Sequence, residues 1–211
     1  MMLTNTPGVY APQEDTRFLI EALRAAAIPR GAKVLDFGTG TGALALAALR
    51  AGAATVTAVD VSLRAVLTAR LNTLCRPVRV RWGNALDVRG RFDLVLANPP
   101  YVPANHAARG PARAWDAGAD GRELLDPLCA KVSGLLQPGG VLLLVHSALC
   151  GVDTTVSRLR GVGLEASVVD RRWTPFGPVM RRRIAFLEAR RLVEPGQRHE
   201  ELVVIRGDKP A

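Results

Sequence analysis

The sequence predicts an α/β fold in which an open, mostly parallel sheet carries helices on both faces. Three observations predict it. Strand-like runs alternate with amphipathic helical stretches along most of the 211 residues. Glycines cluster at one strand-to-helix turn, Gly38-Thr39-Gly40-Thr41-Gly42. The run Val141 to Val145 is continuously apolar, as expected of a strand covered on both faces. No repeat, low-complexity tract or linker divides the chain, so 1–211 is read as a single domain of a length that buries a sizeable core.

Taken in order, residues 12–27 begin at Pro12, place Glu14 and Asp15 in a first turn and repeat Phe18, Leu19, Ala22, Leu23 and Ala26 at helical spacing. Residues 1–30 are therefore expected to form an N-terminal helix. Lys33 to Phe37 is a short strand that runs into the glycines, and Ala43 to Ala51 is an Ala/Leu-rich helix stopped by Gly52. Thr55 to Val59 is a strand ending in Asp60, Leu63 to Leu74 a helix, and Val78 to Trp82 a strand ending at Gly83-Asn84. Phe92 to Ala97 is the fourth strand. Asp120 to Leu136 reads as a helix closed by Pro138-Gly139-Gly140, followed by the strand at Val141 to Val145. Val152 to Gly161 is a helix, Glu165 to Val169 a strand, residues 178–192 a basic helix with Ile184, Leu187 and Leu192 inward, and Glu201 to Ile205 a last strand.

Composition narrows the function classes. An apolar content of 48% with 22% charged residues is that of a soluble globular protein, and no apolar run approaches the roughly 18 residues of a membrane span. The N-terminus lacks a basic stretch followed by an apolar core, so no signal peptide is read. Cys75, Cys129 and Cys150 lie far apart, as do His106, His146 and His199. Buried thiols in a reducing cytoplasm are expected, with no metal centre. The net charge of +9 suits a phosphate-rich partner such as rRNA, tRNA or DNA, and equally suits a compositional bias toward arginine, since lysine occurs only at 33, 131 and 209. Arg171, Arg172, Arg181, Arg182, Arg183, Arg190 and Arg191 crowd one late segment.

Two stretches point to chemistry. The glycine turn lets a ligand approach the main chain, and Asp60 at the end of the next strand can bind both hydroxyls of a ribose. That pattern alone is shared with NAD enzymes. Asp36 before the glycines favours a positively charged amino group over a pyrophosphate, and Asn84 is placed to meet an adenine edge. The second stretch is Asn98-Pro99-Pro100-Tyr101. The prolines have fixed φ and no N–H, so the strand stops and the chain leaves as a stiff turn offering a carboxamide and main-chain carbonyls. Those acceptors suit a planar NH2 group, whose N–H bonds become more acidic as the nitrogen attacks, so the hydrogen bonds strengthen toward the transition state. A plain Asn-Pro turn is the competing reading.

Val34-Leu35-Asp36-Phe37-Gly38-Thr39-Gly40-Thr41-Gly42 with Asn98-Pro99-Pro100-Tyr101 resembles the class I S-adenosylmethionine-dependent methyltransferases that act on planar nitrogen. Val9-Tyr10-Ala11-Pro12-Gln13-Glu14-Asp15-Thr16 and Ala114-Trp115-Asp116-Ala117-Gly118-Ala119-Asp120-Gly121-Arg122-Glu123 narrow the resemblance to the HemK/PrmC family, in its short branch lacking a separate N-terminal domain. The resemblance runs from about Val9 to Leu144. It implies a Rossmann-like domain whose sheet has seven strands, mostly parallel, with an antiparallel last strand. It also implies S-adenosyl-L-methionine as cofactor and methylation of the glutamine amide in the Gly-Gly-Gln tip of peptide-chain release factors. Residue by residue, Asp36, Gly38 and Gly40 would hold the methionine part of the cofactor, Asp60 the ribose and Asn84 the adenine, with Thr39, Gly42, Val61 and Ala85 beside them. Thr16 would close the site over the cofactor. Asn98 and Pro99 would orient the amide, Pro100 would stiffen the turn and Tyr101 would pack on the target.

Two departures stand out. Asn84 replaces the Asp of many relatives, and residues 171–200 form an Arg-rich insertion before the last strand. The insertion leaves a second acceptor class open, an adenine or guanine amino group in rRNA, tRNA or DNA gripped through 171–191. Some short-branch relatives also use a small activator protein.

Overall fold

Every strand-forming run joins one sheet. The computed structural model describes residues 3–105 and 110–211, so His106 lies outside the described residues. The strands are β1 (Lys33–Phe37), β2 (Thr55–Asp60), β3 (Val78–Trp82), β4 (Phe92–Ala97), β5 (Leu136–Ser147), β6 (Glu165–Pro175) and β7 (His199–Asp208), in the order β3-β2-β1-β4-β5-β7-β6. β1 to β5 are mutually parallel, and β7 runs antiparallel to both β5 and β6. The helices are α1 (Glu14–Ala25), α2 (Ala43–Arg50), α3 (Leu63–Asn72), α4 (Leu125–Leu135), α5 (Val152–Gly161), α6 (Pro178–Arg182) and α7 (Ile184–Ala189). None among the described residues is long and apolar enough to cross a membrane.

The register of the centre positions the site. Phe37 of β1 pairs with both Val59 of β2 and Ala97 of β4. The glycine turn, Asp60 and Asn98 therefore leave the sheet at one level, side by side. Between β1 and β4 the strand order reverses, which is where open α/β sheets leave a crevice beyond the strand ends. Phe18, Leu19 and Leu23 of α1 are fully buried, which fixes the start of that helix over the crevice. The stretch before α1 is tied down along α3: Asn72 Nδ2 donates to the carbonyls of Thr4 and Thr41, and the Thr68 hydroxyl donates to that of Thr6.

The structure corrects several sequence expectations. The helix expected from Asp120 begins only at Leu125, because Gly121 has φ +76° and Arg122 is drawn into contacts with α5. β6 does not stop at Val169 but continues to Pro175, and β7 begins at His199, so both ends of the 171–200 segment belong to the sheet and residues 176–198 connect them. Cross-strand charge explains the continuation. Arg171 Nη1 pairs with Glu201 of β7 at 2.9 Å, and Arg172 lies over the Phe18 ring at 4.4 Å while meeting Glu21 at 2.6 Å. The basic helix expected at 178–192 is two short helices broken at Arg183, with Leu187 buried and Ile184 and Leu192 partly buried as expected. Cys129 and Cys150 are buried, but Cys75 is exposed on a turn with φ +58°.

Candidate active site

The crevice has a main-chain wall and an acceptor wall. On the first, the N–H groups of Gly38 and Thr39 both donate to the Val59 carbonyl, which folds the glycine turn back over β2. Gly38 has φ +74°, and a side chain there would project into open space, so the turn leaves a bed for a ligand. Asp60 stands at the rim. Its Oδ2 accepts from the Gly40 N–H at 2.9 Å and its Oδ1 from the Ser62 N–H at 2.8 Å, and each oxygen retains a lone pair for a ribose hydroxyl. Burial raises the Asp60 pKa, against the lowering effect of these N–H groups.

Three neighbours are placed differently from expectation. Asp36 is fully enclosed: its Oδ2 accepts from the Thr39 hydroxyl at 2.6 Å and the Ala45 N–H at 3.0 Å, bracing the turn against the start of α2. Only its Oδ1 lacks a protein partner among the described residues, and burial pushes its pKa up to about 7. Gly42 faces α3, where a Cβ would press on Thr73 and Ala69, so it serves helix packing and does not line the crevice. Asn84 uses Oδ1 to cap the next turn, accepting from the Leu86 N–H at 3.0 Å, and no hydrogen bond among the described residues engages its NH2. Val61 is exposed and Ala85 buried beside these rim positions. With an open glycine turn, a ribose-competent carboxylate and an amide in sequence along the rim, the residues present fit a nucleoside bearing an amino-acid tail.

The acceptor wall is built by α1 and the turn after β4. Asp15, only 4% exposed, accepts at Oδ2 from the hydroxyls of Tyr10 (3.0 Å) and Tyr101 (3.2 Å), and at Oδ1 from the Thr16 N–H (2.6 Å) and hydroxyl (3.2 Å). Burial, then the Asp15 charge, raises the Tyr101 pKa well above its ordinary value, so its phenol stays a donor. Because the Thr16 hydroxyl donates to Asp15, its lone pair faces Asn98, whose Nδ2 donates to it at 3.2 Å. That bond fixes the direction of the Asn98 amide, leaving Oδ1 turned away from α1. Among the described residues no protein donor bonds Asn98 Oδ1 or the Pro99 carbonyl. The Tyr101 carbonyl, by contrast, is engaged by the Cys150 thiol at 3.2 Å. Thr16 is thus brought to Asn98 itself.

A cavity of about 300 Å³ opens beside Tyr101, between the start of α1, Trp115 and the β6–α6 turn. Tyr10, Asp15 and Glu200, missed as functional residues in the sequence, lie on its wall. Glu200 had a legible signal: it is an acid in phase with Leu202 and Val204 on a strand buried on both faces. Desolvation raises its pKa to about 7, opposed by the Ser147 hydroxyl and reinforced by Asp15.

A sheet of this order, with a glycine turn at its reversal point and an amide-presenting corner beside it, defines a methyltransferase. The chain belongs to the Methyltransferase small domain family, which matches residues 1–166. A Methanocaldococcus jannaschii relative carrying the provisional name protein N5-glutamine methyltransferase is 32% identical over 180 residues, covering 82% of this chain and 90% of its own. The release factor glutamine methyltransferase of Deinococcus radiodurans is 38% identical over 182 residues, 79% of this chain and 64% of its own. That of Bordetella pertussis is 38% identical over 158 residues, so this chain covers 57% of the longer bacterial protein. Among solved structures, the Mtq2 protein of E. cuniculi, in a complex with Trm112 that methylates the eRF1 termination factor, shares the fold at 23% identity and a TM-score of 0.66, covering 96% of this chain and 99% of its own. The T. thermophilus 16S rRNA N2 G1207 methyltransferase, bound to AdoMet and guanosine, does so at 21% identity and 0.64, covering 97% and 46%.

Proposed function

We propose that this methyltransferase transfers a methyl group from S-adenosyl-L-methionine to the side-chain amide nitrogen of the glutamine in the Gly-Gly-Gln segment of a peptide-chain release factor. The observation that supports it most is the Thr16–Asn98 bond, which leaves Asn98 Oδ1 and the Pro99 carbonyl as a pair of acceptors for one planar NH2. Gly38 and Gly40 would bed the methionine part of the cofactor, Asp60 the ribose and the Asn84 amide the adenine edge. The cofactor supplies an electrophilic methyl group. Asn98 and Pro99 hold the amide in plane and take increasing hydrogen-bond strength as its N–H groups acidify, which stabilises the transition state without a strong base at the outset. The names of the M. jannaschii and D. radiodurans relatives point to the same acceptor.

Methylation of a nucleic-acid amino group draws only part of the support that the arginine cluster offers in sequence. Arg171, Arg172 and Arg183 are held in ion pairs within the protein, while Arg181, Arg182, Arg190 and Arg191 are exposed. Incubation of the purified chain with labelled cofactor, release factor and total RNA is expected to label the release factor; label in RNA alone would overturn the proposal.

A small activator protein has a face to use. Leu63, Leu67 and Leu71 of α3 are exposed at i, i+4 and i+8, beside exposed Trp82 on β3, the edge strand of the sheet. A Trm112-type protein is expected to bind the wild-type chain and to lose affinity for Leu67→Glu.

A further inference from the structure

The cavity beside Tyr101 holds one polar atom that the fold itself does not use. Glu200 is 5% exposed on β7, lines the cavity, and its Oε2 meets no donor among the described residues. A buried carboxylate oxygen without a donor costs stability, so its retention points to something outside the folded chain. Several of the other polar groups there are already engaged. Asp15 accepts four hydrogen bonds, from Tyr10, Tyr101 and twice from Thr16, and at the mouth Glu14 is paired with Arg17.

Counting donors identifies the occupant. Tyr10, Tyr101 and Trp115 give it aromatic walls, and Tyr101 is the last residue of the Asn98-Pro99-Pro100-Tyr101 turn. A phosphate is repelled by Asp15 and Glu200. A lysine ammonium brings three donors and an arginine five, against one open carboxylate oxygen on this wall. A peptide N–H brings one donor.

We propose that Glu200 is an acceptor-binding residue, its free oxygen receiving a main-chain N–H of the glycines that precede the methylated glutamine while Tyr10, Tyr101 and Trp115 enclose that stretch of backbone. The assignment rests on the glutamine-amide reading above and adds to it a second anchor, on β7, for the acceptor main chain. It also gives the fold a reason to discriminate against side chains next to the glutamine, since a cavity filled by backbone has no room for them.

The experiment is a double-substitution cycle on the full chain. Peptides containing Gly-Gly-Gln are compared with peptides in which each glycine in turn is sarcosine, which lacks the N–H. Both sets are measured against wild type, Glu200→Gln and Glu200→Ala. In wild type, one sarcosine position is expected to raise the peptide KM about tenfold or more, the cost of leaving a buried acceptor without its donor. Glu200→Ala is expected to raise KM for the glycine peptide by a similar factor, to lose the sarcosine penalty, and to change kcat little. Independent penalties, or a KM unmoved by Glu200→Ala, would overturn the assignment, as would a preference for lysine or arginine in place of a glycine. The same cycle in Kd, with S-adenosylhomocysteine bound, separates the two levels. Peptide bound with the expected coupling but never methylated rejects the amide reaction and retains the subsite. Methylation without coupling rejects the subsite alone, and absence of binding rejects both.

Discussion

Arg183 Nη2 meets Asp116 Oδ1 at 2.6 Å, joining the break between α6 and α7 to the stretch that follows the Asn98-Pro99-Pro100-Tyr101 corner. Arg183 Nη1 also donates to the Pro103 carbonyl at 3.1 Å, and Val102 bridges to Asp116. The Asp116 side chain is wholly buried and Arg183 mostly so. Removing the cation takes one partner from a buried carboxylate, so Arg183→Ala is expected to cost about 2 kcal/mol and to raise the acceptor KM. Arg181→Ala and Arg182→Ala, at exposed positions, should stay within about 0.5 kcal/mol of wild type. Urea unfolding of the three single variants checks the contrast.

Thr16 and Asn98 should separate in kinetics from Asp60. Asn98→Ala is expected to lower kcat about a hundredfold by analogy with the loss of one transition-state hydrogen bond, while leaving affinity for S-adenosylhomocysteine nearly unchanged. Thr16→Val removes the acceptor that orients Asn98 and should lower kcat about tenfold. Asp60→Ala should instead weaken S-adenosylhomocysteine about tenfold in calorimetry.

Gly121 supports the corner from behind. A Cβ there would overlap the Tyr101 carbonyl and stand 2.7 Å from Cys150 Sγ, at a φ of +76°. Gly121→Ala is expected to destabilise the protein by about 2–3 kcal/mol and to displace Tyr101, so that activity falls even in the folded fraction. Thermal unfolding and kcat measured well below the midpoint distinguish the two effects.

Glu200 also makes a pH signature. Folded Glu200 keeps its proton up to about pH 7, whereas the unfolded chain releases it near 4.5. Between those values the unfolded state binds fewer protons, so this group subtracts stability as pH rises, on the order of 3 kcal/mol by pH 8. Asp36 acts in the same direction, from 3.8 to about 7, and buried His146, held near 4, acts in the opposite one. The difference between Glu200→Gln and wild type isolates the term: the variant should gain relative stability between about pH 5 and about pH 8. The same stability difference between variant and wild type in urea unfolding at the two pH values would refute it.

The first half of the fold was legible because its runs end in unambiguous punctuation. Phe37 is followed by glycines, Val59 by Asp60 and Ala97 by Asn-Pro-Pro, and β1, β3 and β4 match the expected bounds. The late half was not, because what stabilises it is remote in sequence. Arg171 and Arg172 read as part of a charged segment, and the fold alone brings Glu201, Glu21 and Phe18 beside them. In the site, the identities of Asp36 and Asn98 were readable but their directions were not. Whether a carboxylate faces a ligand or its own main chain depends on Thr39 and Ala45, and the orientation of an amide depends on a threonine 82 residues away.

The pairing of Phe37 with Ala97 implies a division of labour within the molecule. The glycine turn and the Asn98 corner are welded by the central ladder, and a slip of one residue would turn every side chain of a strand to the opposite face. The cavity beside Tyr101 takes most of its walls from outside that ladder: from the chain before Phe18, from Trp115, from the ends of β6 and β7 and from residues 177–180. Under the proposed function, those walls can be rebuilt for a different protein target while the alignment of methyl donor and amide stays untouched.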